Sequence, residues 1–291
     1  MDDSIIGADL GGTKLLFVCG PETLRIDTGP DFSPEDFATR LSAFVSARAL
    51  RPRRIGIAIP GLVGPDGQVV ACDVLPALTG WRPAESLEAL GCQITVINDV
   101  KAALLEEMHD APEGFTGGVV MAGTAIGAAF IADGRALQGA SGWAGELGYL
   151  PYLPCPGSGR IRRLDEVAGG AAMAAQRGVS PMTLARLAGE GDAASLAAIR
   201  EGGHALGIGL AAVINLLNPS RLSLGGGALE LPGYWSAALK AARSSTIPEL
   251  WRDCTVAPVR AGARVAALGA IRAAAPPSVC SARRSAASPD D

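Results

Sequence analysis

Two segments of this chain share one plan: an apolar β-type run, a glycine turn, then a second apolar β-type run. The first is Ser4-Ile-Ile-Gly-Ala-Asp9-Leu-Gly-Gly-Thr-Lys14, continuing as Leu15-Leu-Phe-Val-Cys19. The second is Val119-Val-Met-Ala-Gly123-Thr-Ala-Ile-Gly127, continuing as Ala128-Ala-Phe-Ile131. A strand that stops at Gly-Thr leaves backbone N–H groups unpaired on a loop without bulky side chains, a cradle for phosphate oxygens. For one such loop a plain hairpin turn is the simpler account. Two of them, one per half of the chain and the first with acidic Asp9 at its strand end, predict a clamp on a single polyphosphate.

Two other phosphate motifs are excluded. Gly7 to Gly12 has the G-x-x-x-x-G spacing of a Walker loop, but Thr13-Lys14 follows in place of Lys-Ser/Thr, and the chain goes on as a strand instead of a helix. No G-x-G-x-x-G opens a helix here, so the dinucleotide fingerprint fails as well.

At 291 residues the chain is long enough for two lobes, and a hydrophobic share of 48% with 19% charge supports buried cores over disorder. A net charge of −4 and no basic run longer than Arg51-Pro-Arg-Arg54 argue against nucleic acid as a partner. No long uncharged apolar run could span a membrane, and Met1-Asp-Asp-Ser lacks a signal-peptide charge pattern, so a cytoplasmic location is expected. The six cysteines (19, 72, 92, 155, 254 and 280) include no C-x-x-C pair and read as buried or free thiols. His109 and His204 read as surface residues.

Along the chain, Ser33-Pro34-Glu35-Asp36 is a helix start, and the apolar face of Phe37, Leu41, Phe44 and Val45 carries that helix to about Ala47. Arg54–Ile59 alternates as a strand ended by Pro60-Gly61, Gln68–Val74 reads as a short strand, and Thr79-Gly80-Trp81 as a turn. Ile94–Ile97 reads as a buried strand ending at Asn98-Asp99, with a helix over Val100–Met108 and a linker over Pro112–Gly118. Helices are predicted from Leu164 onward, over Met182–Ala188, over Ala193–Leu217 and over Arg264–Ala274. Arg221–Leu224 is a strand entering Gly225-Gly-Gly227, and the tail from Pro276 reads as disordered. The expected division is an N-terminal α/β lobe over 1–113 and a C-terminal lobe over 114–275, with the final helix 264–274 packing back on the first lobe.

Asn98-Asp99 is the second informative pair. It lies where a strand hands over to a helix, a position that projects side chains into an α/β cleft. A carboxylate at a helix start is stabilised as the anion, as a general base needs. Asn and Asp are also common N-caps, which on local sequence is the better account. The two phosphate cradles favour the base, because phosphoryl transfer to a hydroxyl calls for one well-placed carboxylate.

These motifs together resemble the ROK family (repressor, open reading frame, kinase), in particular its sugar kinases. The resemblance runs from Ile5 to about Ala274. It rests on Asp9-Leu-Gly-Gly-Thr-Lys14, Ile59-Pro-Gly61, Asn98-Asp99, Gly123-Thr-Ala-Ile-Gly127, Ala144-Gly-Glu-Leu-Gly148, Asn215-Leu-Leu-Asn-Pro219 and Gly225-Gly-Gly227. It implies a two-lobed α/β, actin-like (ribonuclease H-like) ATPase fold, with nucleotide and sugar in the cleft between the lobes. It further implies Asp99 as catalytic base and Gly61, Asn98 and Glu146 as sugar ligands. Gly11, Gly12, Thr13, Lys14, Gly123 and Thr124 would hold the phosphates of ATP, Gly225, Gly226 and Gly227 would lie under adenosine, and Asp9 would help place Mg²⁺. A homodimer is usual in the family. Read without the resemblance, Glu146 is a surface loop residue and the late glycine run a helix N-terminal turn.

The chain also departs from the family pattern. Tyr149 stands where the family has a histidine that joins a cysteine cluster on structural zinc. The segment that follows holds only Cys155, and one cysteine cannot make a tetrahedral site, so no zinc is expected. Asp165, with Glu166 beside it, aligns with a longer glutamate; Ala77 replaces an asparagine in the sugar-side loop Leu75–Trp81; Ala125 replaces a glycine, tolerable if its backbone is not left-handed. The expectation is an ATP-dependent kinase of a hexose-like sugar, amino sugar or cyclitol other than plain glucose, with Tyr149 and Asp165 at the acceptor. Two alternatives are a sugar-sensing transcriptional regulator, disfavoured by a first strand that starts at Ser4, and a catalytically inactive binding protein on the same scaffold, disfavoured by the intact Asp9, Asp99 and glycine loops.

Overall fold

A computed structural model describes residues 4–154 and 159–276. Strands β1 (Ile5–Leu10), β2 (Lys14–Cys19) and β3 (Glu22–Asp27) form a meander, followed by α1 (Pro34–Ala47) and β4 (Arg54–Ile59). The start of α1 is a full capping box: Ser33 accepts from the Asp36 N–H while Asp36 accepts from the Ser33 N–H. A small hairpin, β5 (Leu62–Val63) and β6 (Val69–Ala71), and the one-turn α2 (Pro83–Ser86) precede β7 (Gln93–Asn98) and α3 (Asp99–Glu107). The sheet order is β3-β2-β1-β4-β7, with β1–β4 and β4–β7 parallel.

The second half repeats this order. Strands β8 (Gly117–Ala122), β9 (Ile126–Ala132) and β10 (Arg135–Ala136) form the meander, and the hairpin of β11 (Pro151–Pro154) and β12 (Ile161–Arg163) lies outside the sheet. Helices α4 (Asp165–Ala168), α5 (Gly170–Gln176), α6 (Pro181–Gly189) and α7 (Ala193–Leu217) then lead to β13 (Arg221–Gly225). After α8 (Tyr234–Ser245) and α9 (Pro248–Asp253) come β14 (Thr255–Pro258) and α10 (Val265–Ala274). The order β10-β9-β8-β13-β14, with β8–β13 and β13–β14 parallel, matches the first sheet strand for strand. The chain therefore has the α/β architecture of two like sheets, each with a glycine turn between its first two strands.

Helices α3 and α10 fill the space between the sheets. On α3, Val100, Ala103 and Leu104 pack with Val119 and Ala129 of the second sheet, and Ala102 packs with Ala58, Ala266 and Ala270. The approach of α10 to the first sheet is close enough that a Cβ on Gly56 would lie 2.0 Å from the Ala270 carbonyl oxygen, which explains glycine inside an otherwise branched strand. At the far end of α3, buried Glu107 accepts from the Ser223 hydroxyl at 3.0 Å and from the Arg260 backbone N–H at 2.9 Å, tying α3 to the second sheet.

Several local expectations are corrected. β3, β10, β14, α8 and α9 carry no strong sequence signal: three are edge strands and the helices are short or follow Pro232-Gly233. Strand β7 is half-buried because it is the sheet edge. Gln68–Val74 contracts to β6, and the helix from Leu164 breaks at Gly169, whose extended backbone separates α4 from α5. Gly117 and Gly118, read as linker, are buried in β8. The segment 277–291, expected to be disordered, and Cys155 lie outside the described residues.

Candidate active site

Every motif the sequence singles out around the phosphate and acceptor sites stands at the carboxyl end of a sheet strand, or on a loop facing those ends. The turns after β1 and β8 hold Gly11–Lys14 and Gly123–Thr124; Gly61 follows the end of β4 by two residues, Asn98 ends β7 with Asp99 next, and Gly225 ends β13 with Gly226 and Gly227 next. Crevices at carboxyl ends of parallel strands are where α/β sheets bind ligands. All sixteen predicted site residues line one cleft of about 1950 Å³: Asp9, Gly11, Gly12, Thr13, Lys14, Gly61, Asn98, Asp99, Gly123, Thr124, Glu146, Tyr149, Asp165, Gly225, Gly226 and Gly227.

The first turn is closed by the Gly11 N–H donating to the Lys14 carbonyl at 2.8 Å, and Thr28 Oγ1 donates to the Gly11 carbonyl at 2.6 Å. The second is held by the Gly123 N–H on the Ala125 carbonyl at 3.0 Å and by the Ile126 N–H on Asp165 Oδ1 at 2.5 Å. Asp165 is thus an anchor of the second turn as well as a cleft residue. Ala125 has no left-handed backbone, so its Cβ costs nothing there. Gly226 does need to be glycine: its φ is +99°, and a Cβ would lie 2.3 Å from the Ala122 carbonyl oxygen.

Two carboxylates share the cleft floor. Burial raises the Asp9 carboxyl, opposed by Lys14, whose Nζ lies 3.7 Å from Asp9 Oδ2. Burial and the neighbouring charge of Asp9 push Asp99 up to about 7, against the hydrogen bond from the Val100 N–H at 2.9 Å. This corrects the expectation that the helix start stabilises the Asp99 anion, because desolvation and like charge outweigh the helix terminus here. A carboxyl near neutral pH is well matched to accepting a proton. The cap falls to Asn98, whose Oδ1 accepts from the N–H groups of Val100 at 3.0 Å and Lys101 at 3.1 Å while Nδ2 donates to the Gly61 carbonyl at 3.1 Å. The residue that caps α3 thereby also fixes the strand end beside Asp99.

Across the cleft, Glu146 is open to the space between the turns and its carboxyl is raised by the surrounding walls and then by Asp165. Among the described residues none donates a hydrogen bond to it, and Lys101 Nζ donates instead to the Gly142 carbonyl. The Tyr149 hydroxyl donates to Asp73 Oδ2 at 3.2 Å, and Trp143 Nε1 donates to the Val63 carbonyl at 3.3 Å, so the 140s loop reaches across to the first half of the chain twice. Sequence reasoning missed Asp73, Lys101, Trp143 and Arg163, all of which line the cleft. The one available signal was an aromatic residue in the glycine-rich run Gly139–Gly148. Ala77 does not line the cleft; Asp73 and Val74, just before its loop, do.

The donors present suit a hard divalent cation shared with phosphate. Asp9 and Asp99 are carboxylates raised partly by confinement, and Mg²⁺ is typically held by one or two carboxylates together with substrate phosphates and water. Among the described residues no group of three or more His, Cys, Asp or Glu could hold a metal ion, and no helix is long and apolar enough to cross a membrane.

Comparison with known proteins follows the same lines. The sequence pattern of the ROK family matches residues 5–275. The N-acetylmannosamine kinase of Salmonella typhimurium is 30% identical over 204 residues, covering 64% of this chain and 70% of that protein. The crystal structure of a ROK hexokinase from Thermus thermophilus superposes with a TM-score of 0.73 at 28% identity, covering 93% of this chain and 97% of the other. A ROK family glucokinase from Streptomyces griseus, solved with glucose and AMPPNP, has the same fold with a TM-score of 0.76 at 23% identity, covering 93% and 98%.

Proposed function

The chain belongs to the ROK family and is a carbohydrate kinase, and from that premise we propose that Asp99 is the base in phosphoryl transfer from ATP to a hydroxyl of a hexose-like sugar, amino sugar or cyclitol. The observation that carries this reading is the position of Asp99, at the carboxyl end of β7 in a cleft walled by both glycine turns, with its carboxyl at about 7. The relatives act as sugar kinases, and one is solved with glucose and an ATP analogue, which supports ATP as the donor.

In this proposal the turns Gly11–Lys14 and Gly123–Thr124 hold the phosphates, the N–H groups of Gly11 and Gly123 closing the turns while those of Gly12, Thr13 and Thr124 face the ligand, Gly225–Gly227 lie under adenosine, and Asp9 holds Mg²⁺. When bound, Mg-ATP supplies the phosphoryl group and the cation that offsets its charge. Asp99 accepts the proton of the acceptor hydroxyl, and its raised carboxyl makes that transfer favourable near neutral pH. Asn98 and Glu146 orient the ring hydroxyls, with Gly61 setting the wall behind them. Tyr149 and Asp165 bound the same space. The two lobes are assigned to residues 1–113 and 114–275.

The test is an ADP-release assay with glucose, mannose, their N-acetylamino counterparts and a cyclitol, with Asp99→Asn as control. At least one acceptor should raise turnover above background, and the variant should lose a factor of roughly 10²–10⁴. A full-rate Asp99→Asn enzyme, or no active acceptor, rejects the reading.

A further inference from the structure

The segment 138–146 joins the second sheet at both ends and the first half of the chain at its tip. Beside its start the Leu137 N–H donates to the Phe130 carbonyl at 2.9 Å, and near its end the Ala128 N–H donates to the Gly145 carbonyl at 3.0 Å. Between these roots Gly139, Gly142 and Gly145 all take left-handed φ values, and the Ala144 N–H donates to the Gln138 carbonyl at 3.1 Å. A strap this rich in glycine has high conformational entropy when free, so the contacts at its tip decide its shape.

Both tip contacts flank Asp99. Lys101, two residues beyond it on α3, donates from Nζ to the Gly142 carbonyl. Trp143 Nε1 donates to the carbonyl of Val63, two residues beyond Gly61, whose own carbonyl is held by Asn98. Because the Lys101 N–H also donates to Asn98, the contacts close a ring that runs from Asn98 through Gly61, Val63, Trp143 and Gly142 to Lys101 and back. Glu146 follows Gly145 directly, so the strap sets where this carboxylate stands in the cleft that Asp99 also lines. Lys14, the other lysine of the cleft, is paired with Asp9, whereas Lys101 makes no ion pair among the described residues. Its half-buried charge goes to the strap carbonyl, and a charge-assisted bond of this kind is about twice as strong as a neutral one.

We propose that Lys101 is a positioning residue: by clamping the Gly142 carbonyl it fastens the 138–146 strap to the start of α3 and so holds Glu146 in place for the acceptor. The role of Glu146 at the acceptor rests on the kinase reading, whereas the clamp does not, so one arm of the test needs no substrate. Hydrogen exchange of the full chain without ligand follows the Ala144 amide in wild type, Lys101→Met and Lys101→Arg. ADP-release kinetics on the same proteins use glucose, mannose, their N-acetylamino counterparts and a cyclitol. Methionine resembles lysine in length and helix propensity and removes the charge and the donors. In Lys101→Met the Ala144 amide should exchange at least tenfold faster, and acceptor kcat/KM should fall at least tenfold while KM for ATP stays within twofold. Lys101→Arg keeps a cationic donor and should restore both readouts to within threefold of wild type. Trp143→Phe removes the other fastening and should give a smaller change of the same kind. The Leu206 amide in buried α7 should keep its wild-type rate throughout, which separates loss of the clamp from loss of the fold; if Lys101→Met disturbs it, Lys101→Gln takes its place. Unchanged Ala144 exchange overturns the proposal, and a fallen kcat/KM beside it makes Lys101 a direct ligand instead. Faster exchange with unchanged acceptor kcat/KM, an ATP KM raised in step, or an arginine variant no better than methionine also overturns it. With no active acceptor the kinase reading alone fails, and the exchange arm decides the clamp.

Discussion

Asp99→Asn is expected to stabilise the fold at neutral pH while it removes turnover. The carboxyl moves from its ordinary 3.8 to about 7 in the folded chain through burial and the charge of Asp9. At about 1.4 kcal/mol per pH unit this amounts to about 4 kcal/mol at most. Solvent reaching the partly open cleft screens it, so about half is a fair expectation. The sign follows from the raised value. Below pH 4 the group is protonated in both states and costs nothing. As pH rises the unfolded chain ionises first, and the folded chain loses stability until its own carboxyl ionises near 7. Asparagine is neutral throughout, and its Oδ1 can still accept from the Val100 N–H. The advantage of the variant should therefore grow by about 1–3 kcal/mol between pH 5 and pH 7 and level off above. Urea unfolding of both proteins at pH 5, 6, 7 and 8, without nucleotide, reads it directly. An advantage that does not change with pH, or a variant less stable at pH 8, would refute the argument that burial and Asp9 confine this charge.

With Asp99 as the proposed base, kcat/KM for ADP release should rise about tenfold per pH unit below neutrality and flatten above about 7. Gly56→Ala should lower the melting temperature markedly, since its Cβ would lie 2.0 Å from the Ala270 carbonyl oxygen and must push α10 off the sheet. Glu107→Ala removes the buried acceptor of Ser223 and Arg260 and should cost about 3–5 kcal/mol in urea unfolding, with the loss shared by both halves of the chain because that network joins α3 to β13 and the end of β14.

The parts of this protein written locally are legible without a structure. Apolar alternation, glycine turns, the Ser33 capping box and the long apolar run of α7 each act within a few residues, and they place β1, β2, α1, α3, β8, β9 and α7 nearly to the residue. The order of the motifs carries the family, and each site glycine lies where a strand ends. Edge strands β3, β10 and β14 are not legible, because their patterning depends on a neighbour that covers one face only. This part of the cleft lining is not legible either, since Asp73, Lys101, Tyr149 and Arg163 come to one cleft only once the two sheets and an outlying hairpin face one another. Asp99 shows the division most plainly. Sequence placed it at a helix start, where a short-range field favours its anion; the fold set it in a confined space beside Asp9, where desolvation and like charge favour the proton. Those two effects act through space over the whole cleft, so the tertiary structure decides its protonation.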